Sequence, residues 1–334
     1  MIFLNLEQKI QNAGLRSKDF FDQLAKQLLK KKFIIEYPKG TENTGTVEQQ
    51  LSWFSERYPD FCYYWENQIV PQMASILGPP FEPKKLLLAG PQQVHELFST
   101  IKDIQKQKGY ADDNYGAMLL EIFNYEKCRA IIQKTLKQLE WSGCPYCNRN
   151  FITGFTNTNA TQVTFQMDHF FPKSKFPYLA LSIYNLIPSC PTCNATIKKD
   201  AVIDTLVPYD PRYDFDKKVR FVERGGEIDI EELQKPEEYQ TFVSVMCTLS
   251  IYTQHTMVLE DLQKKMRNYA PSWIEKIEAT GLMTRQQIMN DLFQGYVNPS
   301  ELESIPLAKL RKDLAEDLGI NAVLRGEQTD FRSS

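Results

Sequence analysis

The chain has 334 residues, 42% of them hydrophobic and 24% charged, with a formal net charge of −3. That length allows two or three domains with a sizeable buried core, and the balance is that of a soluble globular protein rather than one that coats nucleic acid non-specifically. No apolar run approaches a bilayer span, and the N-terminal MIFLNLEQKIQN lacks the basic region and cleavage site of a secretory signal, so a cytoplasmic location without a membrane partner is expected.

In chain order, helices are expected near 17–32, 47–77 and 91–107, with the Gly78-Pro79-Pro80 break between the last two. A fourth is expected over 118–139, where Met118, Ile122, Tyr125, Cys128, Ile132, Leu136 and Leu139 recur at steps of three and four. The pattern changes at Trp141. Residues 149–168 are rich in Thr, Phe, Val and Asn, with alternation at Val163, Phe165 and Met167, and predict two short strands. A stretch punctuated by Pro172, Pro177 and Pro188 follows, then a short helix starting near Pro191. A β element is expected around 218–230 with a turn at Gly225-Gly226. Helix then runs to the end, with a stripe of Val245, Leu249, Tyr252, His255, Leu259, Leu262, Met266 and Tyr269, and a capping box at Ser300 and Glu303. The expected class is α+β: a helical region over 1–140, a small β-containing module over 141–200, and a mainly helical region with a short β element over 201–334.

Of the seven cysteines, four form two close pairs, Cys144-Pro145-Tyr146-Cys147 and Cys190-Pro191-Thr192-Cys193. A redox CxxC follows a strand and opens a helix. Here Cys144 follows a predicted helix and precedes a strand-like stretch, so the order is wrong for thiol chemistry. Four soft thiolates suit a closed tetrahedral zinc site of structural type. A thiol oxidoreductase and a set of unliganded core cysteines are the competing accounts.

Between and after the pairs stand Asp168-His169 with Pro172, then Asn185-Leu186, then Cys190-Pro191-Thr192-Cys193-Asn194, then Lys198. Phosphodiester hydrolysis needs a base for water and a cation for the phosphate and leaving oxygen. His169 suits the base. Asp168 and Asn194 offer hard oxygens suited to Mg²⁺ or Mn²⁺. Lys198, four residues beyond Asn194, is expected to share its helix face and meet a phosphate. The module's five basic residues, Arg149, Lys173, Lys175, Lys198 and Lys199, against two acidic ones make a local basic footprint for a polyanion, while 201–334 carries 16 basic and 23 acidic residues. Surface lysines on a solvated helix face would look the same. Adjacent strand residues face opposite ways, so Asp168 and His169 can share a site only if the strand ends there.

In these motifs the stretch 141–200 resembles the HNH endonucleases, the ββα-metal nucleases, in their four-cysteine zinc subtype. The resemblance implies that His169 is the general base, that Asp168 and Asn194 hold a catalytic Mg²⁺ or Mn²⁺, and that Asn185 braces the loop carrying the histidine. The family's last motif position is often His; here it is Asn194. The implied function is a metal-dependent endonuclease, with DNA as the expected substrate. The alternative is a zinc-stabilised nucleic-acid- or protein-binding module without catalysis.

The flanks carry no P-loop. In size and layout the chain is similar to HNH components of bacterial anti-phage systems such as the nuclease subunit of Septu-type systems, which work with a separate ATPase. That resemblance implies an ATPase partner docked on the helical flanks. His255, on the apolar stripe, reads as a core histidine.

Overall fold

The computed structural model describes residues 3–29, 56, 59–81, 83–108, 120, 125–156, 161–232, 237–293 and 302–327. The fold is α+β, with small antiparallel sheets among helices. The N-terminal region holds α1 (Leu6–Asn12), α2 (Ser17–Leu29), α3 (Pro59–Tyr64), a π turn over Trp65–Ile69, α4 (Val70–Leu77), α5 (Pro83–Leu88), α6 (Pro91–Lys108) and α7 (Tyr125–Leu136). Pro59, Pro83 and Pro91 each open a helix, where a missing N–H costs nothing. Two of these helices, α1 and α5, were not anticipated; at seven and six residues they are too short to show a periodicity. The start of the expected 47–77 helix, the stripe positions Met118 and Ile122, and Ser300 of the capping box lie outside the described residues.

The central module contains β1 (Gly154–Thr156) paired with β2 (Thr161–Val163), and β3 (Gln166–His169) paired with β4 (Leu186–Ser189). The expected strand through Val163, Phe165 and Met167 is thus divided between two hairpins. A π-wound helix over Thr192–Lys198 follows β4, giving the order strand, strand, helix.

The C-terminal region begins with α8 (Phe215–Lys218), then β5 (Val219–Arg224) and β6 (Glu227–Glu232), joined at Gly225-Gly226, both at positive φ. Next come α9 (Glu237–Val245), α10 (Thr248–Tyr252), α11 (Thr256–Asn268), α12 (Pro271–Ala279), α13 (Arg285–Phe293), α14 (Ala308–Asp317) and α15 (Ile320–Arg325). The stripe expected to run through one helix from Val245 is broken at Cys247, which adopts φ 49°. The break turns the apolar face. Tyr252, Leu259 and Leu262 stay buried, Leu249 is exposed, and His255 is half-buried in a 3₁₀ turn against Tyr252. Among the described residues no single helix is long and apolar enough to cross a membrane.

One buried cluster runs from Leu4 to Met246 and joins the N-terminal helices to the module; a second runs from Phe221 to Val323, and Ile230 on β6 touches both. At about 1.5–3 kcal/mol per fully buried large apolar side chain, these clusters are the main stabilising term. Aromatic stacking and a hydrogen bond help tie the N-terminal helices to the site. Phe98 on α6 stacks on Phe171 with centroids 3.8 Å apart, and Ser182 Oγ donates to Leu86 O at 2.7 Å. On the other side, α14 covers the edge of β5: the amides of Phe221 and Glu223 donate to Asp313 and Asp317.

Candidate metal centre and active site

The sulfurs of Cys144, Cys147, Cys190 and Cys193 lie within 4.8 Å of one another, and all four residues are buried. Tetrahedral Zn–S bonds of about 2.3 Å place sulfurs roughly 3.8 Å apart, so the donor set fits zinc. Its surroundings fit too. Asn150 Nδ2 donates to Cys190 Sγ at 3.2 Å, and the Cys190 amide donates to Cys144 Sγ at 3.4 Å; such N–H···S bonds stabilise thiolate ligands. Contact with Cys144 pushes the Cys190 thiol far down and the Cys193 thiol far up. Four crowded sulfurs cannot all ionise without a cation among them. The knuckle loop closes through Cys144 N to Asn150 O and Asn148 N to Cys144 O.

The second cysteine pair follows β4, and β4 pairs with β3, so the knuckle and the β3–β4 hairpin form one unit. In register, Asp168 faces Ile187 and His169 faces Leu186. The strand ends at His169, and the chain bends at Phe170 and Phe171. Asn185 holds that bend. Its Oδ1 accepts from Phe171 N at 2.8 Å, and its Nδ2 donates to Phe171 O and Leu179 O, both at 3.1 Å. His169 is buried, with Nε2 3.0 Å from Ala180 O. A carbonyl oxygen only accepts, so Nε2 carries the hydrogen and Nδ1 the lone pair of the neutral ring. Burial holds this imidazole far below its ordinary value, at about 3, with Lys173, Lys198 and Arg129 adding to the effect.

Asp168 is 4% exposed. Tyr146, between the first two cysteines, donates its hydroxyl to Asp168 Oδ2 at 2.6 Å, and Lys198 Nζ lies 3.0 Å from the same oxygen. Lys198, 1% exposed, also donates to His169 O at 2.7 Å. Burial pushes the Asp168 carboxyl up and the Lys198 ammonium down, each partly offset by the other's charge. Their separation is that of an ion pair. The structure therefore puts Lys198 beneath the site, tied to Asp168, and not at the surface where a phosphate would meet it. Asn194 Nδ2 donates to Gln166 Oε1 at 2.8 Å, which leaves Oδ1 as the acceptor end of that amide. Gln166 and Asp168 share one face of β3.

Asp168, His169 and Asn194 line one cavity of about 520 Å³. Lys173 and Lys199 line it as well; Arg149, Lys175 and Lys198 do not. Arg149 instead lies close enough to Tyr252 and His255 for its charge to act on both. Three residues that the motif argument missed, Arg129, Gln133 and Lys137, form part of the wall from α7 and the turn after it. Their four-residue spacing beside the apolar row Cys128, Ile132 and Leu136 was the available signal. Tyr146 was missed too; nothing local to CPYC points its hydroxyl at Asp168.

Residues 144–200 match the family model of the HNH endonucleases. The chain carries an HNH domain. Neither a curated protein nor a solved structure matches it. Within the HNH domain, β3 and β4 lie between the two cysteine pairs, and the helix over Thr192–Lys198 carries the last cysteine, Cys193.

Proposed function

We propose that the protein is a divalent-metal-dependent endonuclease that hydrolyses phosphodiester bonds, with DNA as substrate. The carrying observation is the neutral His169 ring, fixed by Ala180 O at the edge of a basic cavity that Asp168 and Asn194 also line. Nδ1 is the atom that takes a proton from the attacking water. The anionic phosphodiester, once seated beside the ring, favours the imidazolium and raises the base towards working pH. An ionised carboxylate and an amide oxygen are hard donors, which fit Mg²⁺ or Mn²⁺. A cation held by Asp168 and Asn194 would neutralise charge on the phosphate and the leaving oxygen. Asn185 keeps the histidine loop in place, and Lys173 and Lys199 provide positive charge for the backbone. The zinc would be structural.

One observation favours a second reading, a zinc-stabilised binding module without catalysis: Tyr146 and Lys198 already engage Asp168. Supercoiled-plasmid cleavage with Mg²⁺, comparing wild type with His169→Ala, separates the two. Cleavage by wild type alone supports the nuclease. Binding that survives His169→Ala, with no cleavage by either protein under any divalent ion, supports the module.

The layout resemblance supports a role in bacterial anti-phage defence, with the helical flanks docking an ATPase that gates cleavage in the cytoplasm. Co-purification of tagged protein from its host tests this; a lone, fully active chain would sink it.

A further inference from the structure

We propose that α7 and the turn after it form a second phosphate-binding wall, lying outside the HNH match, that holds a nucleic-acid strand across the mouth of the cavity through Arg129 and Lys137. The inference rests on the nucleic-acid reading above and adds to it where the strand lies. The matched segment begins at Cys144, so nothing in the family assignment reaches these residues.

Arg129, Gln133 and Lys137 all line the cavity that holds His169, Asp168 and Asn194. They stand four residues apart on α7 and its continuation; Lys137 N still donates to Gln133 O at 2.9 Å. Four-residue spacing puts them in one row along the helix. The neighbouring row, Cys128, Ile132 and Leu136, is buried in the first core, so the helix cannot turn the basic row away. Arg129 is exposed, and Gln133 and Lys137 are half-buried. From Arg129 to Lys137 is eight residues, about 12 Å along the axis. A nucleic-acid strand carries a phosphate every ~3.4 Å of duplex axis, so the two cations bracket about three to four nucleotides of a strand running along α7. Gln133 between them supplies an uncharged hydrogen-bonding group, and Lys173 and Lys199 face the row from the hairpin and knuckle side. That side also carries Asp168 and Asp200, so its charges balance, and the net positive charge of the cavity lining comes from Arg129 and Lys137 on α7 and the turn after it.

Acidic peptides and small phosphate esters would also be attracted to such a wall. The 12 Å row of two cations separated by a neutral polar residue matches a repeating polyanion better than either.

The test is binding of a fluorescent DNA duplex by the full chain in a His169→Ala background, with log Kd measured against log salt. Arg129→Gln with Lys137→Gln is compared with Arg267→Gln and Lys276→Gln, two exposed basic positions on α11 and α12 away from the cavity. Losing two phosphate contacts reduces the salt slope by about 1.8; the double substitution in the α7 wall is expected to show that reduction, and the control pair none. Bound zinc and the urea midpoint, expected unchanged, verify that the fold persists. A parent that binds DNA with a slope unchanged by the α7 substitutions overturns this inference and leaves the nuclease reading intact. An equal loss in the control pair also overturns it, because the effect is then general charge. A parent that binds no nucleic acid overturns both.

Discussion

The Tyr146 hydroxyl donates to Asp168 Oδ2 at 2.6 Å. A residue lying between two cysteines of the metal knuckle therefore fixes the carboxylate on the cavity wall, and the structural site and the candidate catalytic site share a side chain-to-side chain bond. Burial pushes the Tyr146 phenol well above its usual range, so it remains the donor.

Tyr146→Phe keeps the ring in the core and removes only that hydrogen bond. Bonds to charged groups contribute about 1.5–3 kcal/mol, so the urea midpoint should fall accordingly while one zinc per chain is retained. Cleavage should need more Mg²⁺ than in wild type, because Asp168 is no longer held in place. An unaltered midpoint together with an unaltered Mg²⁺ titration would show that the bond is dispensable.

The pair Asp168–Lys198 is almost wholly buried, and removing one partner leaves a charge without compensation. Lys198→Met should cost about 3–5 kcal/mol, whereas Lys198→Met combined with Asp168→Asn should cost much less than the two single changes added together. A double-mutant cycle by chemical denaturation measures this coupling. Additive costs would mean that the two groups do not interact as the 3.0 Å contact implies.

His169 has a pH signature of known sign. Its folded value, about 3, lies below its ordinary value of 6.5. The unfolded chain therefore takes up a proton in that interval and the folded chain does not. Its contribution to stability is complete above 6.5 and is lost as pH falls towards 3, at up to about 1.4 kcal/mol per pH unit. In His169→Leu the loss of stability between pH 6.5 and 4 should be shallower than in wild type. Parallel stability–pH curves for the two proteins would contradict the neutral, buried ring.

Four crowded thiols predict that the metal contributes folding energy. Elemental analysis should find one zinc per chain, and Cys190→Ser should lower zinc content and stability together. Normal stability after complete zinc removal would reassign the cysteines to the apolar core.

The parts of the site that were legible in the sequence are those whose chemistry is local. The two CxxC pairs, Asp168-His169 and Asn185 each stand in short motifs, and the strand end that lets Asp168 and His169 share a cavity follows from their adjacency. Four-residue spacing from Asn194 places Lys198 on the same helix face, where a phosphate could meet it. Its long apolar stem carries the ammonium through the core to Asp168, and only the tertiary fold reveals that. Arg129 and Lys137 belong to a helix that precedes the motif, so their place at the cavity depends on how α7 docks. The stripe from Val245 to Tyr269 promised one helix because nothing in its composition marks Cys247 as the left-handed break. The Gly225-Gly226 hairpin was legible because both glycines have the positive φ that a two-residue turn requires.

The C-terminal region grips the knuckle at Gly143 and Asn148. Tyr252 donates its hydroxyl to Cys147 O. Asn148, at φ 47°, donates from Nδ2 to Leu302 O and Ile305 O at 2.8 and 3.2 Å and accepts from Lys309 N at 3.0 Å, so it caps α14 from another part of the chain. A Cβ on Gly143 would lie 2.5 Å from Glu303 O, a backbone atom that cannot swing aside. Gly143→Ala should therefore push the 302–307 segment off the knuckle, at about 1–3 kcal/mol. Asn148→Gly keeps the positive φ but removes the cap, and should loosen the same segment by another route. Limited proteolysis should cut both variants faster than wild type near residues 302–307, while zinc content stays at one per chain. Cleavage rates equal to wild type in both would show that the C-terminal region merely abuts the HNH domain; slower zinc loss in wild type than in either variant would show that it holds the knuckle closed.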